Sequence, residues 1–217
     1  MRGLLAIEPL YHQIVKGNKT QTRRSGGLDV VNENPDDWEI TGYTGEMGGD
    51  LIEVDFCDYM GSQRNIYLKP RYRIGEVLYL KEPYCMDNFG MAGKPYYKYD
   101  DPHPSVIKWK NKLFMPTSAA RAFVKITSIK CERLLDISDE DCITEGITNM
   151  GYHGWKNYLS KSGNEYELTS KESFLSLFKF ANKMKPSAVI PNLWVWAYTF
   201  EYLLEFKLGK IPSKTEM

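Results

Sequence analysis

The stretch GNKTQTRRSGG, Gly17 to Gly27, crowds Lys19, Thr20, Gln21, Thr22, Arg23 and Arg24 into six consecutive positions. Lys19 and Thr22 lie three apart. A lysine that loses solvent or sits beside arginines has its pKa lowered and becomes a usable base. A threonine hydroxyl is a weak nucleophile until such a base is adjacent. Arg23 and Arg24 suit two-pronged contacts with anions. Spacing alone admits three readings: a solvated basic turn, a phosphate- or carboxylate-binding loop, and a Lys–Thr catalytic pair.

Other side chains invite the same question. Glu145 lies in the segment DEDCITEGI, at the end of a short predicted helix. The negative end of a helix disfavours a second negative charge, which suits a proton donor; an exposed helix-end glutamate is the plain alternative. Glu82, in LKEP at a strand end, either binds the amino group of a base or is solvated. Trp194 and Trp196 in LWVWAY are two apart and share one strand face, as a stacking platform or as core. Trp109 lies among Lys108, Lys110 and Lys112, which fits nucleic-acid contact and equally a lysine-guarded sheet edge.

The elements that must position these groups follow from the pattern. GLLAI, residues 3 to 7, enters a sheet, and Pro9 opens a helix that Gly17 stops. The basic cluster therefore sits just past a helix C-terminus, where cations are favoured. Residues 25 to 50 read as an irregular segment or a hairpin around Trp38 to Tyr43, and LIEVDFCDYM as a strand. A turn at Arg73–Glu76 feeds a strand at Val77–Leu80, and PYYKYDD is another short strand. ARAFVKITSIKCERL alternates as a long strand. Ser138 caps a helix that Gly146 ends, and residues 151 to 170 read as a weakly ordered insertion. KESFLSLFKFANKM is an amphipathic helix with Phe174, Leu175, Leu177, Phe178 and Ala181 on one side, followed by a closing strand in LWVWAYTFEYLLEF. The simplest architecture is one mixed α+β domain over residues 1–206, a small β-barrel flanked by helices, with a loose tail over 207–217.

Composition narrows the function. With 217 residues, 42% hydrophobic and 13% aromatic, the chain supports a packed core rather than disorder. Lys plus Arg number 28 and Asp plus Glu number 28. Zero net charge excludes a bulk nucleic-acid coat but leaves room for a local basic pocket. No run approaches the ~20 apolar residues of a membrane span, and the N-terminus is not a signal peptide, so a cytoplasmic protein without a membrane partner is expected. Cys57, Cys85, Cys131 and Cys142 form no C-x-x-C pair and lie far in sequence from His12, His103 and His153. Free thiols in a reducing compartment are expected, with no metal and no cofactor.

Four ordered segments resemble the ASCH-domain family of the PUA-like superfamily, in its long phage and prophage branch. GNKTQTRR is similar to that family's G-x-K-x-x-T-x-R signature through Gly17, Lys19, Thr22 and Arg24. YRIGEVLYLKEPY, LFMPTSAARAFVKITSIKCERLLDISDEDCITEGI and NLWVWAYTFE resemble three further segments of the branch. Thr117-Ser118 stands where the branch has Arg-Trp, Tyr84 stands for a Trp, and residues 25–50 and 151–170 resemble insertions. The resemblance implies a PUA-like β-barrel with a cleft that binds RNA or a modified nucleoside. Compact bacterial members are amidohydrolases on 4-acetylcytidine that use a Lys, a Thr and a Glu. Those roles fall here on Lys19, Thr22 and Glu145, with substrate contacts implied at Arg24, Glu82, Arg121 and Trp194. An acylcytidine deacylase is thus the candidate enzyme. A non-catalytic RNA-binding module is the alternative, with a ribonuclease ranked lower because no His pair lies near the signature.

Overall fold

The computed structural model describes residues 1–44, 53–58, 65–86, 95–100 and 108–204. Along them the chain forms β1 (Gly3–Leu5), α1 (Glu8–Val15), β2 (Gln21–Arg24), α2 (Asp29–Glu33), β3 (Trp38–Thr44), β4 (Glu53–Asp58), β5 (Asn65–Leu68) and β6 (Val77–Lys81). There follow β7 (Tyr84–Met86), β8 (Pro95–Tyr97), β9 (Phe123–Arg133), α3 (Asp139–Thr144), β10 (Trp155–Lys156), β11 (Tyr166–Glu167), α4 (Ser170–Ala181) and β12 (Trp194–Tyr202). The class is mixed α+β, mostly strands with few helices. The expected tail over 207–217, His103 and residues 45–50 of the Gly-rich segment lie outside the described residues. The described residues divide into two compact units. One lies within Met1–Gly17, Val77–Lys125 and Glu201–Met217, the other within Asn18–Glu76 and Ile126–Phe200.

In the first unit β1 runs parallel to β6, with Leu4 beside Leu80. β6 runs antiparallel to the start of β9, with Leu78 opposite Val124. All four residues are buried. Leu78, Tyr79 and Leu80 are buried in succession, so β6 is covered on both faces and reads as an unbroken apolar run. Helix α1 carries Pro9 in its first turn, where a missing N–H and a fixed φ suit the position. It stops before Gly17, whose φ of 77° is left-handed and free of Cβ strain only for glycine. β7 and β8 form an antiparallel pair, and Tyr84, Met115 and Ala119 build a small apolar cluster against Met86, Tyr97 and Ala120.

In the second unit β12 pairs antiparallel with β2, from Trp196 opposite Arg24 to Thr199 opposite Gln21. β3, β4 and β5 form an antiparallel meander, with a bulge between Ile40 and Gly42. Asn32 of α2 grips β12 with both ends of its amide, Nδ2 donating to Trp194 O at 3.0 Å and Oδ1 accepting from Trp194 N at 2.7 Å. Ser138 caps α3 as the sequence suggests, its Oγ accepting from Asp141 N at 3.1 Å, and Gly146 at φ 87° follows the helix.

Helix α4 departs from expectation. Its buried side is Ser170, Ser173, Phe174, Ser176 and Leu177, while Ala181 is exposed. The serines are small enough to admit neighbouring backbone and to bond it. Ser173 Oγ donates to Lys156 O at 2.7 Å, and Ser176 Oγ accepts from Tyr158 N at 3.0 Å. These bonds correct the expectation of weak order over 151–170, because they tie a short antiparallel β10–β11 pair to α4. Gly154 makes the approach to that pair at φ 93°, and a Cβ there would lie 2.5 Å from the Glu167 carbonyl oxygen. Gly154→Ala is therefore expected to cost about 2 kcal/mol. The check is the urea midpoint at unchanged m-value; a variant as stable as wild type contradicts the packing.

Candidate functional site

Lys19 lies between α1 and β2, and is not part of a solvated turn. It is 3% exposed, and Arg23 two turns of the strand zigzag later is 6% exposed. Three acceptors surround Lys19 Nζ: Gln21 O at 2.6 Å, Glu145 O at 2.7 Å and Glu145 Oε2 at 2.6 Å. All three ammonium donors are thereby used. The Glu145 carbonyl belongs to the α3 C-terminus, whose last carbonyls lack helical partners. Thr20 N takes another of them, donating to Thr144 O at 2.9 Å. The negative end of α3 thus draws in a buried cation, as the helix dipole favours. Burial pushes the Lys19 pKa below the usual lysine value, and the Glu145 carboxylate partly restores it.

Arg23 extends the network. Its Nε donates to Glu132 Oε1 at 2.8 Å, Nη2 to Asp141 Oδ2 at 2.7 Å, and Nη1 to Glu145 Oε1 at 3.2 Å. Burial alone would lower the Arg23 pKa, but Glu145, Glu132 and Asp141 carry it above the usual arginine value. Lys130 Nζ reaches Glu132 Oε2 at 2.8 Å. Three cations, Lys19, Arg23 and Lys130, therefore face three carboxylates, Glu132, Asp141 and Glu145. Desolvating each buried ion costs several kcal/mol, so such a set stands only when every member is paired.

Gln21 is fixed by the same network. Arg23 Nη1 can only donate, and it meets Gln21 Oε1 at 2.9 Å. Asp141 Oδ1 can only accept, and it receives Gln21 Nε2 at 3.1 Å. The amide orientation follows from its two neighbours. Gln21 is half-buried and the Asp141 side chain is 32% exposed, so this is the solvent edge of the cluster.

The strand separates the signature residues. Gln21 and Arg23 project to one face of β2, and Thr22 and Arg24 to the other. Thr22 is buried opposite Tyr198, whereas Arg24 is exposed opposite Trp196. The structure thus joins Lys19 to Glu145 and places Thr22 on the strand face away from Arg23. Trp194 is 8% exposed and its ring is covered, with Phe56 edge-on at 5.0 Å and the Arg133 guanidinium at 5.1 Å. Its Nε1 donates to Pro35 O at 3.1 Å. Trp196 is wholly buried, with an Nε1 that finds no hydrogen-bond partner among the described residues. The Trp pair is core.

Glu82 and Arg121 belong to the first unit and pair with each other. Glu82 is 0% exposed. Arg121 Nε donates to its Oε1 at 2.7 Å and Nη2 to its Oε2 at 2.8 Å, while Tyr11 OH donates to Oε1 at 2.8 Å. Both carboxylate oxygens are occupied. Burial foremost, with the Glu82 charge behind it, raises the Tyr11 phenol far above its usual value.

Among the described residues no group of three or more His, Cys, Asp and Glu is arranged to hold a metal ion, and no helix is long and apolar enough to cross a membrane. No known family, curated protein or solved structure matches the chain.

Sequence reasoning did not single out Gln21, Glu132 or Asp141. Their signal was present: residues 21 and 23 share a strand face, and Asp141 and Glu145 are four apart on one helix face.

Lys19→Met leaves the buried Glu145 with half of its charge partners and is expected to cost about 3 kcal/mol. The pH dependence has a definite sign. The unfolded chain binds the Lys19 proton up to the usual 10.5, the folded chain only up to a lower value. Between the two the unfolded state holds more protons, so stability rises with pH. Wild type should gain stability over Lys19→Met as pH climbs toward 10.5 in parallel urea titrations. A difference that shrinks there contradicts the lowered value.

Proposed function

We propose that the chain is an ASCH-type domain, with a PUA-like barrel, that binds a nucleobase or modified nucleoside, free or within RNA. The reading rests on the resemblance of the signature, and on one observation above all: Lys19 and Glu145, distant by 126 positions, meet at 2.6 Å in a buried pair. The ligand side of the network is its solvent edge, Gln21 and Asp141. There a carboxylate acceptor lies beside an amide donor, both held in place by Arg23. Such a pair complements the edge of a base that carries an amino group next to a ring nitrogen.

Two features favour binding over turnover. Lys19 spends all three N–H groups on fixed acceptors. Thr22 projects from the strand face opposite Arg23, so the hydrolytic reading needs a rearrangement that brings its hydroxyl to Lys19. In that event a proton would first pass from Lys19 to Glu145, and Thr22 would attack the acyl carbon and give its own proton to the neutral Lys19 amine. Glu145 would protonate the departing cytidine amine, and water would release the acyl group as the acid.

Purified protein is to be incubated with cytidine, acylated cytidines and a short single-stranded RNA, with binding followed by calorimetry and products by mass detection. The expected outcome is saturable nucleoside binding that Asp141→Asn weakens about tenfold, with no product. Deacylation that disappears in folded Lys19→Ala would establish the hydrolase instead. Failure to bind every nucleoside and the RNA would overturn the reading.

A further inference from the structure

The Arg121 guanidinium in the first unit is held as a receptor would be. Glu82, wholly buried, fixes its side-on edge through Nε and Nη2 at 2.7 and 2.8 Å. Tyr97 lies under the guanidinium plane, 4.0 Å from ring centroid to Cζ, and Tyr97 OH is itself anchored on Ala119 O at 2.8 Å. Tyr11 stands 5.8 Å from the same carbon. The buried carboxylate and the stacked ring leave this side chain little rotamer freedom, so an incoming anion meets a guanidinium already oriented.

The end-on edge is different. Nη1 donates to Asp100 Oδ2 at 2.6 Å, and the Asp100 side chain is 58% exposed. An arginine has five N–H donors, and three are engaged here among the described residues. Of the other two, one belongs to Nη1 and one to Nη2, on a side chain 30% exposed. A solvent-exposed ion pair adds little net stability, so its exchange for a stronger oxyanion is easy. The Glu82 bond is not exchangeable in this way, because breaking it would strand a buried charge.

We propose that Arg121 is a phosphate-binding residue, with Asp100 as a displaceable stand-in for the ligand, and that its ligand class is a phosphate monoester such as a nucleotide carries. A phosphate dianion offers two oxygens to the Nη1–Nη2 edge, where Asp100 offers one. Glu82 serves as the positioning residue that keeps the edge turned outward. The site concerns the phosphate alone and does not depend on the nucleoside reading of the second unit.

The test is a titration with inorganic phosphate, cytidine 5′-monophosphate and cytidine, read on the guanidinium NMR resonances of Arg121, which Arg121→Lys identifies by their loss. Phosphate and the monophosphate are expected to shift those resonances saturably, and cytidine is not. Asp100→Ala, which removes only an exposed side chain, is expected to tighten phosphate binding about threefold. Unmoved Arg121 resonances, or equal phosphate affinity in wild type and Asp100→Ala, would overturn the assignment. Nucleoside binding lost with phosphate binding kept would count against the second-unit site only, so the two failures are distinguishable.

Discussion

A lysine ammonium removed from water must find three acceptors or give up its proton. Lys19 finds them at the start of the strand that follows it and at the end of a helix 126 positions away, and much of the second unit is arranged around that demand. The bond to the Glu145 carbonyl satisfies a helix end, and the bond to its carboxylate neutralises a buried charge. One side chain therefore fixes both the backbone and the charge of α3 against β2. Arg23 then answers the carboxylates that Lys19 leaves over, on Glu145, Glu132 and Asp141.

This saturation leaves the cluster's solvent-facing polar atoms at its rim. The inner members are saturated and cannot release a donor without exposing a buried charge to an unfavourable medium. Gln21 and Asp141 are held by the same bonds but keep one side toward solvent. Under the proposed reading, such an edge is oriented before a planar ligand arrives. In the first unit the Glu82–Arg121 pair follows the same logic, with a buried carboxylate orienting a cation whose far edge is wet.

Much of this was legible in the sequence. Alternation marked β9, Pro9 and Gly17 bounded α1, and Ser138 and Gly146 bounded α3. Lys19 and Glu145 could be named before any contact between them was known. What escaped was whatever depended on long-range pairing. A basic stretch past a helix reads as a solvated turn until Glu132, Asp141 and Glu145 are known to converge on it. Trp194 and Trp196 share a face by simple alternation, but only the β3–β4–β5 meander shows that Phe56 packs on Trp194. The serine-rich side of α4 carries no apolar signal, so its anchoring of β10 was invisible to periodicity.

The central claim is that Lys19 and Glu145 act as one unit, and a double-mutant cycle tests it most directly. Stabilities of wild type, Lys19→Met, Glu145→Leu and the double variant would be measured by urea unfolding under one buffer condition. The account predicts a coupling energy of about 2 kcal/mol or more, since either single change leaves a buried charge short of its partner. Additivity to within about 0.5 kcal/mol would contradict it, and would mean that the two side chains are neighbours without being interdependent.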